Sequence, residues 1–170
     1  AAYDRENINK IMFVNPVSMN SLAQTTTKKD KLFKFFIEIP VFGTFIYHII
    51  VSRETISDLF LDNLYYNPFH VDKDIQDAYY EAAHKGGYYA KCLYASQSAK
   101  YMNINICHAI ESIDNSIYIV EGEDEPNGAA IVDAYQKVNP AIESVTIPCS
   151  KHFPHIENVD AFLEQVGTFF

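Results

Sequence analysis

The apolar positions of the chain form two kinds of run. Three are short and continuous: Lys10–Val14, 116–120 and Glu143–Ile147, closed by Asn15-Pro16, Glu121-Gly122 and Pro148. Short runs rich in Ile and Val, bounded by turn residues, predict strands covered on both faces. The other runs have helical spacing. Between the second and third strands, 129–138 places Ala130, Ile131, Ala134 and Val138 on one face. After the third, 159–170 does the same with Val159, Phe162, Leu163, Val166 and Phe170. A strand–helix–strand–helix ending implies parallel strands, right-handed crossovers and helices packed on the sheet, which is an α/β fold.

The long middle, about 18–112, reads as helix throughout. The spacing predicts helices over 28–37, 41–51, 88–101 and 104–113. Ser52 can cap another that runs through Ile56, Leu59, Phe60 and Leu64. Asp72 can cap one that runs through Ile75, Ala78, Tyr79 and Ala82 and ends at Gly86-Gly87. So long an insertion exceeds what a crossover between parallel strands needs. Its many Phe and Tyr residues suit a lid over an apolar pocket, although aromatic residues at this spacing also build ordinary core.

Composition narrows the partners. The chain has 170 residues, 48 % hydrophobic and 21 % charged, as a single globular domain does. A net charge of −9 argues against a nucleic-acid partner, because phosphate backbones need clustered Lys and Arg. The longest apolar run, 39–51, is too short to span a bilayer and contains Pro40, Gly43 and His48. Cys92, Cys107 and Cys149 form neither a disulfide framework nor a zinc pattern, which points to a reducing, cytoplasmic setting. The opening Ala1-Ala2-Tyr3-Asp4-Arg5-Glu6 reads as the inside or end of a helix without a cap, so this start is not expected to be a natural domain boundary.

Ligands of open parallel sheets bind beyond the carboxyl ends of the strands, so three loops matter. Asn15-Pro16-Val17-Ser18 offers an amide and a hydroxyl and reads as a plain turn. The second loop carries Glu121, Glu123, Asp124 and Glu125. Most such runs are solvated, but one carboxylate at a strand end can orient a histidine from the next loop. The third holds His152 just past a strand, followed by Phe153-Pro154-His155-Ile156-Glu157. His152 with His155 and Glu157 superficially offers metal ligands, but Pro154 breaks the helical spacing that a zinc helix needs.

The stretch Ile119-Val120-Glu121-Gly122-Glu123-Asp124-Glu125-Pro126 resembles the seventh strand and acid loop of the α/β-hydrolase fold superfamily. Ile147 to Asn158 is similar to its eighth strand and catalytic-histidine loop, commonly Gly-His-x-Pro-His-x-Glu. Lys10 to Pro16 is similar to its sixth strand, and the middle helices to its cap. The resemblance implies the parallel-sheet portion of an α/β-hydrolase fold, with 1–17 and 101–170 as the carboxyl-terminal part of the core and 18–100 as a helical cap insertion. It implies His152 as general base, with Glu125, or Asp124 one residue earlier, as the orienting acid. It implies a small hydrophobic substrate of ester or similar type and no cofactor. Two departures stand out: Glu125 where most members have Asp, and Lys151 where most have Gly.

The superfamily's Gly-x-Ser-x-Gly nucleophile elbow is not found in the 170 residues, so the chain alone is expected to be inactive. Ser18, Cys149 and Ser150 are poor substitutes. Two readings remain: the carboxyl-terminal portion of a hydrolase, or a non-catalytic binding protein that keeps the fold. A three-stranded piece with an unpaired edge is also expected to be marginally stable or to aggregate unless another chain supplies the rest.

Overall fold

The structure is a computed structural model that describes residues 1, 2, 4 and 7–170. The helix end expected over the first six residues falls partly on Tyr3, Arg5 and Glu6, outside the described residues. The chain divides into two compact units: 1–22, 64–70 and 105–170 form one, and 23–63 and 71–104 form the other.

The first unit is a three-stranded parallel sheet in the order β1 (Lys10–Val14), β2 (Ser116–Gly122), β3 (Glu143–Ile147). Met12 lies opposite Tyr118, and Val120 opposite Val145. Side chains of a strand alternate between faces, and β2 uses both. Ile117 and Ile119 face a core of Met19, Ile110, Ile113, Val132, Tyr135 and Ile142. Tyr118 and Val120 face the other way, with Ile147, onto Ala161, Phe162 and Phe169. Each large apolar side chain buried in this way stabilises by about 1.5–3 kcal/mol.

Helices α8 (Gly128–Val138) and α10 (Val159–Phe169) cover the two faces. Their buried stripes overlap those expected, since Ile131, Ala134, Val138 and Phe162 pack against the two cores, but are centred on neighbouring positions. In α8 the buried positions are Gly128, Val132 and Tyr135, while Ala130 is exposed. In α10, Val159, Leu163 and Phe170 are exposed, and Phe169 stacks on Tyr118 at 4.6 Å instead. Strand β3 also departs from the both-faces-covered reading: Glu143, Ser144 and Thr146 are exposed, because it is an edge strand. Short helices α1 (Met19–Leu22), α7 (Cys107–Glu111) and α9 (Pro154–Glu157) complete the unit, with a 3-10 turn at Pro68–His70.

The second unit is helical: α2 (Lys28–Glu38), α3 (Phe42–Ile50), α4 (Arg53–Asp58), α5 (Lys73–His84) and α6 (Tyr88–Ser98). Thr27 and Asp30 form a reciprocal capping box on α2, and Ser52 and Asp72 cap α4 and α5. The helix expected to run on to Leu64 widens after Asp58 into a π-helical stretch, Leu59–Leu64, which delivers Phe60 into the core at 0 % exposure. Glycine at position 43 has a packing reason. A Cβ there would lie 2.0 Å from the Ile37 carbonyl oxygen, so only glycine lets α3 turn this closely on the end of α2. No single helix among the described residues is long and apolar enough to cross a membrane.

Candidate active site

The three loops at the carboxyl ends of the strands are bound into one assembly by Asn15. Its Oδ1 accepts the Gly122 N–H at 2.9 Å, and its Nδ2 donates to the main-chain oxygens of Lys151 and His152, each at 2.8 Å. Its own N–H donates to the Val120 oxygen. Only a carboxamide both donates and accepts in this way. Asn also tolerates the left-handed φ of +42° found there. The first loop, read from sequence as a plain turn, is therefore the staple of the site.

The four carboxylates of the second loop have four different fates. Glu121 Oε1 accepts from Thr146 Oγ1 at 3.1 Å, and its Oε2 is buried without a hydrogen-bond partner. Glu123 accepts the N–H of Cys149, which sits at φ +52°. Asp124 is exposed and contributes its main-chain N–H to the Ser150 oxygen. Glu125 reaches the imidazole: its two oxygens lie 3.1 and 3.3 Å from His152 Nδ1. Gly122 is required by close approach, since a Cβ there would lie 1.9 Å from the Lys151 oxygen.

The third loop is fixed from below by Glu157. One of its oxygens accepts the Lys151 N–H at 2.8 Å, and the other accepts the N–H of Tyr66 at 2.6 Å. The His152 N–H donates to the Leu64 oxygen, and Phe153 packs edge-on against Tyr65 at 5.7 Å. These bonds explain why 64–70 groups with the sheet. Lys151, where glycine is usual in the resembled loop, shows no left-handed backbone. Pro154 starts α9, and His155 is exposed beside Phe153 and Phe162. Among the described residues no three His, Cys, Asp or Glu side chains are grouped to hold a metal ion.

His152 and Glu125 border a cleft of about 610 Å³ with Pro16, Val17, Ser18 and Ile131. The carboxylate is 16 % exposed and the imidazole 39 %. A carboxylate can only accept, so Nδ1 must carry the proton that binds Glu125. The lone pair of the neutral ring is then on Nε2, the tautomer of a general base. A charge held beside Nδ1 stabilises the imidazolium formed when Nε2 takes a proton. Ser18 borders this cleft, but Ser150 does not. Its hydroxyl is buried and donates to the Ile147 oxygen.

No family model matches the chain, and no curated protein matches it in sequence. Solved structures match its fold. A meta-cleavage product hydrolase from Pseudomonas fluorescens superposes with a TM-score of 0.67 at 15% identity, over 99% of this chain and 58% of its own. The 2-hydroxy-6-oxo-6-phenylhexa-2,4-dienoate hydrolase from Rhodococcus gives 0.66 at 11% identity, over 98% and 57%. A thermophilic esterase from Thermogutta terrifontis gives 0.62 at 10% identity, over 97% and 56%. The chain thus spans a little over half the length of the structures it matches.

Proposed function

We propose, from a chain that carries the carboxyl-terminal part of the α/β-hydrolase fold, that His152 and Glu125 are the general base and orienting acid of a serine-type hydrolase. The bond cleaved is an ester or a similar acyl bond of a small hydrophobic molecule. The helical unit, 23–63 and 71–104, which makes up most of the expected insertion 18–100, serves as the cap, and a segment outside these 170 residues supplies the nucleophile.

In this reading the nucleophile's O–H attacks the substrate carbonyl, and its proton passes to His152 Nε2. Collapse of the tetrahedral intermediate breaks the bond to the leaving alcohol, which departs with that proton. The acyl-enzyme remains. Water then attacks it, again losing a proton to Nε2, and the acid is released as the nucleophile recovers its hydrogen. Glu125 does not take a proton; it holds Nδ1–H and balances the imidazolium. The observation that carries the reading is the Glu125 carboxylate at 3.1 Å from His152 Nδ1, on the border of a ligand-sized cleft. The hydrolase and esterase names of the structural neighbours agree with it.

Treating the full-length protein with a fluorophosphonate tests the proposal. Covalent labelling that slows strongly in His152→Ala is expected. No labelling, together with a ligand bound and never turned over, would overturn it. That outcome would support the second reading, a binding protein on the same fold, which would exploit Glu125 where most members have Asp and Lys151 where most have Gly.

A further inference from the structure

The helical unit carries an exposed apolar corner that the His152 site does not use. Burial divides α2 and α3 into two faces. In α2, Ile37 is buried, and Lys34 reaches inward to Ser96 Oγ at 3.0 Å. In α3, Gly43 and Tyr47 are buried. The opposite stripes stand in solvent: Leu32 and Phe35 on α2, and Phe42, Phe45 and Ile49 on α3, with Val41 between them at 84 % exposure. Large side chains exposed side by side in this way mark an interaction surface.

Helix α2 and the helical run that starts at Phe42 are bent by 105° at the break between them, so together they form an elbow. Gly43 faces the end of α2, since a Cβ there would meet the Ile37 oxygen. The apolar stripe of α3 therefore points away from α2. Charge is ordered along the same direction. Lys28, Lys29 and Lys31 are exposed on the first turn of α2. Lys28 and Phe35 share a face of that helix and stand about 10 Å apart along its axis. Residues 28–51 hold two acids, Asp30 and Glu38, and both are paired: Asp30 with Thr27 and Lys100, Glu38 with Lys34. A chain of net charge −9 thus presents a cationic patch beside its apolar corner.

We propose that the α2–α3 elbow docks on an anionic lipid bilayer and lies in its interface without spanning it. Helix α3 lies flat, with Phe42, Phe45 and Ile49 sunk about 5–10 Å to the acyl boundary. Helix α2 rises from it and holds Lys28, Lys29 and Lys31 at the level of the lipid phosphates. A bilayer presents this order, apolar and then anionic, along one direction. The elbow repeats the order on the scale of a headgroup layer, which favours lipid over a protein partner. The assignment does not rest on the reading of His152.

Flotation of the full-length protein with vesicles tests the proposal, because bound protein rises with the lipid and aggregates do not. Vesicles of phosphatidylcholine with about one-third phosphatidylserine should carry the protein up. Pure phosphatidylcholine should bind it roughly 100-fold more weakly, from the loss of three lysine–lipid attractions. Replacing Lys28, Lys29 and Lys31 together by Gln should make the two vesicles bind alike, at the weaker level. Phe42→Ser with Phe45→Ser should weaken binding to both vesicles by roughly tenfold or more. All five side chains are exposed, so both variants should keep the native circular dichroism. Failure of the native protein to float, equal binding to the two vesicles, or flotation unchanged in both folded variants would each overturn the assignment.

Discussion

Asn15 and His152 are separated by 137 positions in the chain, yet the Asn15 carboxamide donates to the His152 main-chain oxygen at 2.8 Å. The same amide group holds Lys151 and accepts from Gly122. The first loop thus places the imidazole without touching it, and sets the distance across which Glu125 reaches Nδ1.

Asn15→Ala should lower the unfolding free energy by about 2–3 kcal/mol, since it orphans a buried N–H and strains a left-handed position. Asn15→Gly keeps that conformation and loses only the carboxamide. Urea denaturation should show most of the loss in the glycine variant as well. A glycine variant of native stability would mean that backbone strain, not the staple, is what Asn15 relieves.

Gly122→Ala places a methyl group 1.9 Å from the Lys151 oxygen. The histidine loop has to move away, at a cost of about 1–3 kcal/mol. On the proposed function, kcat of the full-length protein should fall further than KM changes, because His152 is displaced rather than the substrate site. Thermal denaturation with steady-state kinetics checks both halves.

Tyr135 ties the fold to the cleft, because its hydroxyl donates to the Val17 oxygen at 2.9 Å. Burial, and then the nearby Cys107, push its phenol above the ordinary value of 10.0. A raised value means that this contribution to stability is complete below pH 10.0 and is lost as pH rises through the raised value. Tyr135→Phe should cost about 1 kcal/mol at neutral pH. It should also lose less stability than the native chain between neutral and strongly alkaline pH. Parallel alkaline losses in the two proteins would contradict this account.

Glu125→Gln should reduce kcat in the full-length protein by about 10²–10⁴-fold, since an amide can hold the wrong imidazole tautomer and cannot balance the imidazolium. Asp124→Asn should change kcat by less than about twofold, because that side chain is exposed and only its main-chain N–H is engaged. The two variants side by side decide between the two acids that the sequence leaves open.

The strands and the larger helices were legible because their signals are local: apolar runs closed by Asn15-Pro16 and Pro148, and caps at Ser52 and Asp72. The acid and histidine loops were legible through their motifs. What escaped depends on contacts distant in sequence. Asn15 is an ordinary turn residue until the lysine and histidine carbonyls are brought to it. The sequence puts Glu125 at the acid's spacing with Asp124 as the alternative one residue earlier, and only the turn after Gly122 sends one to the ring and the other to water. The shifted centre of the buried face of α10 follows from Phe169 stacking on Tyr118, and the polarity of β3 from its place at the sheet edge. The π-helical stretch at Leu59 leaves no mark in the residue pattern.

The most direct test of the central claim is the hydrolysis of a short aryl ester by the full-length protein and its His152→Ala variant. The account predicts a fall in kcat of about 10³-fold or more, with the variant still folded and KM within a few-fold of native. Equal turnover by the folded variant would contradict it and remove His152 from any catalytic role.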